Sequence, residues 1–152
     1  EGMYRMEGPD KLDRKIISIL REDGRASNAG IARKVGVSEG TVRRRLKNLV
    51  EEEYIQVVAL PDAAKMGNNS QALLGVQVDP DKVDVVADAI KSLPEVTWVA
   101  VTTGSYDIFA WATLPSAEAL GIFLRTKVGT VPGVRRTETF VNLDKKRGNV
   151  VI

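Results

Sequence analysis

The first sixty residues alternate apolar and polar positions with a helical period. Leu12, Ile16, Ile17 and Leu20 fall on one face of a first helix, with Asp10 placed to cap it and Asp13 three residues on. Gly24 ends that helix. Ser27 caps a short second helix whose apolar face is Ile31, Ala32 and Val35, and Gly36 closes it. Only Val37 precedes Ser38, the cap of a third helix expected to bury Val42, Leu46, Leu49 and Val50. Two helices joined by a short turn containing glycine predict a helix-turn-helix. Beyond Tyr54 the run IQVVALP is strand-like, and PDAAKMGNN is rich in turn formers.

The second half changes period and repeats itself. ALLGVQV is followed by Pro80, an amphipathic helix from about Asp81 to Leu93, Pro94-Glu95-Val96 and the strand TWVAVTT. DIFAWATL is followed by Pro115, a helix from Ser116 to about Val128, Pro132-Gly133-Val134 and the strand RRTETFVNL. Val83, Val86, Ala87 and Ile90 line the inner face of one helix, and Ala119, Leu120, Phe123 and Leu124 that of the other. Two consecutive β-α-β units predict a split β-α-β sandwich. The expected fold class is α+β. A helix-turn-helix domain (winged-helix-like, three helices) spans 1–54, a strand linker or hinge 55–69, and a ferredoxin-like βαββαβ sandwich 70–152. The sheet face without helices needs a partner. Trp98, Tyr106 and Phe109 or Trp111 are candidates for a dimer interface there, with core packing as the alternative for any one of them.

Composition narrows the chemistry. The chain has 152 residues, 43% of them hydrophobic and 28% charged, the balance of a globular protein. It holds no Cys and no His, which excludes disulfides, thiol nucleophiles, thiolate metal sites and the Ser-His-Asp triad. No metal site and no cofactor are expected. No apolar run approaches the roughly 18–20 residues of a membrane span, and EGMYRMEGPD has no signal-peptide core, so the expected location is cytoplasmic.

The formal net charge is only +2, but it is unevenly spread. Between residues 25 and 49, Arg25, Arg33, Lys34, Arg43, Arg44, Arg45 and Lys47 face a single acid, Glu39. A solvated helix face is the ordinary explanation of such a run. A local excess in a near-neutral chain fits a focused polyanion contact better. At about 100° per residue, Leu46 and Leu49 lie within about 40° of Val42, whereas Arg43, Lys47, Gly40 and Arg44 fall at about 100°, 140°, 160° and 200°. Arg45 sits on the apolar flank, suited to lay its stem along the core or to pair with an acid. A helix of this shape fits the DNA major groove, its N-terminal residues at base edges and its basic stems at phosphates.

Taken in order, these segments resemble the Lrp/AsnC family of feast/famine transcriptional regulators over about residues 10–148. The resemblance rests on Leu12-Asp13-Arg14-Lys15-Ile16-Ile17, Asp23-Gly24-Arg25-Ala26-Ser27, Ile31-Ala32 with Val35-Gly36-Val37-Ser38, Thr41-Val42 with Arg45-Leu46 and Leu49, and Tyr54-Ile55. Gly104-Ser105-Tyr106-Asp107 and Pro132-Gly133-Val134 with Thr137-Glu138-Thr139 complete it. It implies a regulator whose binding to double-stranded DNA, or whose assembly, is modulated by an amino acid or related metabolite. It also implies dimers joined through the C-terminal sheets, commonly four of them in an octameric disc. Carried onto this chain, it makes Ser38, Glu39, Thr41, Arg43, Arg44 and Lys47 the DNA-reading set. Thr103, Gly104, Tyr106 and Asp107 become effector-site candidates, with Thr137 and Thr139 beside them.

By local sequence alone, Gly-Ser-Tyr-Asp is an ordinary hairpin turn with a satisfied Asp, and the two threonines are strand formers. Gly30 and Gly40 depart from the family's usual pattern. Two other functions remain open at this point: a DNA-architectural protein without effector response, and a tetrapyrrole decarboxylase-like enzyme on the same architecture. The second is disfavoured by the absence of His, and the chain is expected not to be an enzyme.

Overall fold

The computed structural model describes residues 8–146; the outer ends of the two expected domains, 1–7 and 147–152, lie outside the described residues. The chain divides into two compact units, Glu1–Ala59 and Leu60–Ile152.

The first unit is built from α1 (Lys11–Glu22), α2 (Asn28–Val35) and α3 (Glu39–Glu51). Each helix starts on a side chain that satisfies an otherwise orphaned N–H. The Asp10 carboxylate accepts from the Asp13 backbone at 2.9 Å, and the Asp13 carboxylate accepts in return from the Asp10 backbone at 3.1 Å, a capping box. Ser27 and Ser38 accept from Gly30 and Thr41. Gly36, at φ 77°, ends α2 in the left-handed conformation and turns the chain into α3. Ile16, Ile31, Ala32, Val42 and Leu49 form the buried cluster, flanked by Leu12, Ile17, Leu20, Val35 and Ile55.

Two expectations are corrected here. Val50 is 45% exposed, not buried. At eight residues from Val42 it lies about 80° round the helix, past the edge of the apolar stripe. Residues 55–69 contain no strand: 56–62 lack regular structure, and a turn follows at 63–67. An extended segment becomes a strand only when a neighbour takes its backbone hydrogen bonds, and none of the described strands pairs with it.

The second unit is an antiparallel sheet with helices on one face. Its elements are β1 (Ser70–Val78), a 3₁₀ turn (Pro80–Lys82), α4 (Val83–Lys91), β2 (Val96–Val101), β3 (Ile108–Leu114), α5 (Ala117–Phe123) and β4 (Val134–Val141). The strand order is β2-β3-β1-β4, and every neighbouring pair is antiparallel, as the doubled β-α-β pattern requires. Alternate residues of β1 (Ala72, Leu74, Val76, Val78) and β3 (Ile108, Ala110, Ala112, Leu114) are buried against Val86, Ile90, Leu120, Phe123 and Val128. The second helix leaves α geometry early, as a π turn over Leu124–Val128. There the Thr126 hydroxyl donates to the Ile122 carbonyl, and Gly129 N–H reaches back to the Leu124 carbonyl. The opposite sheet face presents Leu73, Trp111 and Trp98, paired across strands in that order, together with Phe109 and the exposed Phe140.

Candidate nucleic-acid interface and effector loop

The residues expected to read DNA stand together on α3 and its N-cap, Ser38. Ser38, Glu39, Arg43, Arg44 and Lys47 are exposed and Thr41 is half-buried, while Val42 and Leu49 turn inward. Not all of these groups are equally available. The Ser38 and Thr41 hydroxyls hydrogen-bond each other at 2.9 Å. Glu39 forms an ion pair with Arg43 one turn on, and Glu51 lies 3.6 Å from the Lys47 ammonium. Exposed pairs of this kind are worth only about 0.2–1 kcal/mol, so phosphates can replace the carboxylates at little cost. Arg44 makes no hydrogen bond or ion pair among the described residues.

Arg45 belongs to the fold rather than to the outward face. Its guanidinium donates to Asp10 at 2.6 Å and to Asp13 at 3.3 Å, tying α3 to the cap of α1. The Asp13 backbone N–H and then Arg45 hold the Asp10 carboxyl below its ordinary pKa. Asp10 in turn keeps Arg45 firmly protonated. This contact subtracts Arg45 from the basic run. The sequence offered its flank position, but the acids lie more than thirty residues away.

The loop between β2 and β3 is clasped onto the end of β1. Gly104 takes φ 107°, a conformation open to glycine and strained for other residues. The Asp107 carboxylate accepts the Val78 N–H at 2.9 Å, and its backbone N–H donates to the Val76 carbonyl at 2.9 Å. The Gln77 side-chain amide donates to the Ser105 carbonyl at 2.7 Å, and the Thr102 hydroxyl to the Tyr106 carbonyl at 3.1 Å. The Tyr106 ring lies flat over Gly75, where an added Cβ would stand 2.9 Å from the ring. Phe109 and Phe140 meet the same ring edge-on, with centroids 5.5 and 6.4 Å away. Asp107 is therefore satisfied locally, through one of its two carboxylate oxygens.

Thr103, Gly104, Tyr106 and Asp107 thus share one loop. Thr137 and Thr139 do not join Tyr106: they stand opposite Val76 and Leu74 on the helix-covered side of the sheet, whereas Tyr106 lies on the other side. Gly75, Gln77 and Val78 of β1 and Thr102 were missed as loop partners. The only signal was Gly75 itself, since glycine inside a strand marks a close approach. Among the described residues no group of three or more Asp or Glu is placed to hold a metal ion. None of their helices is long and apolar enough to cross a membrane.

Comparison with known proteins agrees with both units. Residues 9–56 match the winged helix-turn-helix DNA-binding family model, and residues 71–150 match the Lrp/AsnC ligand binding domain. An HTH-type transcriptional regulator of Pyrococcus furiosus is 39% identical over 139 residues, 91% of this chain and 94% of its own. The HTH-type transcriptional regulator Ptr1 of Methanocaldococcus jannaschii is 38% identical over 120 residues, 78% of this chain and 81% of its own. Among solved structures, E. coli AsnC superposes with a TM-score of 0.84 at 26% identity, covering 93% of this chain and 97% of its own. A Neisseria meningitidis transcriptional regulator, solved as its L-Met complex, gives 0.85 at 25% identity, covering 94% and 95%. With a DNA-binding helix-turn-helix unit and a ligand-binding α+β unit in this order, the chain belongs to the Lrp/AsnC family of transcriptional regulators.

Proposed function

We propose that this regulator binds DNA sequence-specifically through α3 and that an amino acid or related small metabolite modulates its DNA binding or its assembly. The observation that carries the first part is the division of α3: Val42 and Leu49 inward, Arg43, Arg44 and Lys47 outward. The ligand-binding family match over 71–150 and the L-Met complex of the Neisseria relative support the second part. Thr103, Gly104, Tyr106 and Asp107 are the residues we assign to the effector, with the free Asp107 oxygen suited to an ammonium group. Thr137 and Thr139 stay in the proposed site only if the effector reaches the edge of the sheet at β4. The half-covered sheet, with Trp98, Trp111 and Phe140 on its open face, suits pairing with a second copy, and dimers of this kind suit the octamer. Residues 55–69 serve as the hinge between the reading and sensing units. Cytoplasmic, nucleoid-associated action follows from the proposed DNA target.

The test is a genomic binding selection with and without an amino-acid pool. Twofold dimers are expected to enrich pseudo-palindromes whose half-sites lie about 10 base pairs, or a multiple, apart. An effector that weakens DNA binding must itself be weakened by DNA by the same factor. Steep salt dependence with no enriched motif would reject sequence-specific control in favour of an architectural role. An enriched motif indifferent to every amino acid would remove the effector half of the proposal.

A further inference from the structure

The basic residues of α3 are not equivalent. The pole of the helix, directly opposite the buried stripe, lies at about 180° from Val42; Gly40 and Arg44 straddle it at about 160° and 200°, while Arg43 lies on the flank at about 100°. A helix seated in the major groove points its pole at the base edges and its flanks at the phosphate walls. A Cβ at Gly40 would meet nothing within 4 Å, so the pole carries bare backbone where the helix must approach most closely. Arg44, one turn on from Gly40, is exposed and makes no hydrogen bond or ion pair among the described residues. Arg43 is held by Glu39, and Lys47, a turn deeper into the helix, lies beside Glu51. An arginine facing the groove floor donates two hydrogen bonds to O6 and N7 of guanine, the commonest specific contact in the major groove.

We propose that Arg44, beside the bare backbone of Gly40, reads a guanine in each half-site, and that Arg43 and Lys47 grip phosphates. This rests on the DNA-binding reading above and names the base and the residue within it.

The experiment is selection from a randomised duplex pool with the full chain, comparing wild type, Arg44→Ala, Arg44→Lys, Arg43→Ala and Gly40→Ala. Wild type is expected to select one invariant guanine per half-site. Arg44→Ala should lose preference at that position alone, binding the wild-type site about tenfold or more weaker. On a duplex with A·T there, its affinity should change less than about twofold. Arg44→Lys should retain part of the preference, because an ammonium still reaches the same acceptors. Arg43→Ala should weaken all sites evenly and make the salt slope shallower by about 1.8, one phosphate contact being lost in each half-site. Gly40→Ala should weaken binding while its thermal midpoint holds or rises, since alanine favours the helix.

Arg44 makes no hydrogen bond or ion pair among the described residues, so circular dichroism should show Arg44→Ala as stable as wild type. An Arg44→Ala variant that reselects the wild-type motif with uniformly lower affinity would overturn the proposal. So would loss of the guanine on Arg43→Ala. A wild-type protein that selects no motif would overturn the sequence-specific reading as well, which separates the two failures.

Discussion

The two units solve the problem of presenting a functional surface in opposite ways. In the first, the core is the small cluster of Ile16, Ile31, Ala32, Val42 and Leu49, the helix starts are fixed by caps within three residues, and charge faces outward. In the second, the core is larger and is made by strands far apart in sequence, and the face left open is largely aromatic, with Arg136 and Glu138 on β4 as its charged residues. One unit advertises its partner through exposed cations. The other consumes its polar loop groups in holding the loop still, so that Asp107 is both a structural acceptor and the effector candidate. A functional residue on a helix surface can be identified from angle alone, whereas one on a strand-end loop is identifiable only once its hydrogen bonds are known.

The largest expected effect comes from the smaller core. Ile31→Ala removes a fully buried side chain, at a cost of about 2–5 kcal/mol. A cluster of this size has little stability to spare, so amide exchange should become fast across α1, α2 and α3, and DNA binding should be lost at 37 °C. Ile90→Ala, an equal truncation under the sheet, should leave the β1 and β3 amides protected. Retained protection of α3 in Ile31→Ala would show that the helical unit is not the weaker one.

Next in size is overpacking beneath the loop proposed to take the effector. Gly75→Val places atoms where the Tyr106 ring lies, and such insertion costs about 1–3 kcal/mol. The ring must lift, with loss of its edge contacts to Phe109 and Phe140. Metabolite response should vanish while DNA affinity without metabolite changes little. A variant that responds at wild-type concentrations would detach Tyr106 from the effector site.

How far these surfaces could be read in advance follows the same division. The caps at Asp10, Ser27 and Ser38 were legible because capping is settled within one turn. The repeated order of strand, proline, helix and strand was legible for the same local reason, and it led to the sheet with β1 and β3 in it. Val50 was misplaced because a stripe has edges, and spacing alone does not say on which side of one a residue falls. The strand expected in the linker failed because pairing belongs to two segments, not one. Arg45 with Asp10, and Tyr106 over Gly75, depend on packing across some thirty residues, which no local pattern encodes. Thr137 and Thr139 were placed on one strand face correctly; that this face is the one away from Tyr106 depends on register.

Asp107→Ala follows in size. It leaves the Val78 N–H without its acceptor, for about 1–2 kcal/mol. Apo DNA binding should persist and effector response should disappear. Asp107→Asn sharpens the result, because its amide oxygen still accepts from Val78 but carries no charge for an ammonium group. If Asn restores response as well as stability, the residue holds the loop and does not touch the effector.

The smallest effect is acidic, and it too differs between the units. Asp10 is held below its ordinary value by the Asp13 N–H and by Arg45; Glu95 in the second unit is held below its own, chiefly by Lys127. In each case the unfolded carboxyl binds a proton at a pH where the folded one does not, so stability rises with pH across that interval. The stabilisation is complete above the unfolded values, about 3.9 for Asp and 4.3 for Glu. It is lost as pH falls through the lower folded value. Acidification should therefore begin to weaken the sheet unit slightly before the helical one. Asp10→Asn isolates the second of these: asparagine caps a helix as well as aspartate does, so the cap survives while the charge facing Arg45 is removed. Urea midpoints followed through α1–α3 amides should then flatten below about pH 4 relative to wild type, with no change in the Glu95 region. An unchanged slope in the variant would mean that Asp10 contributes nothing to the acid sensitivity of the helical unit.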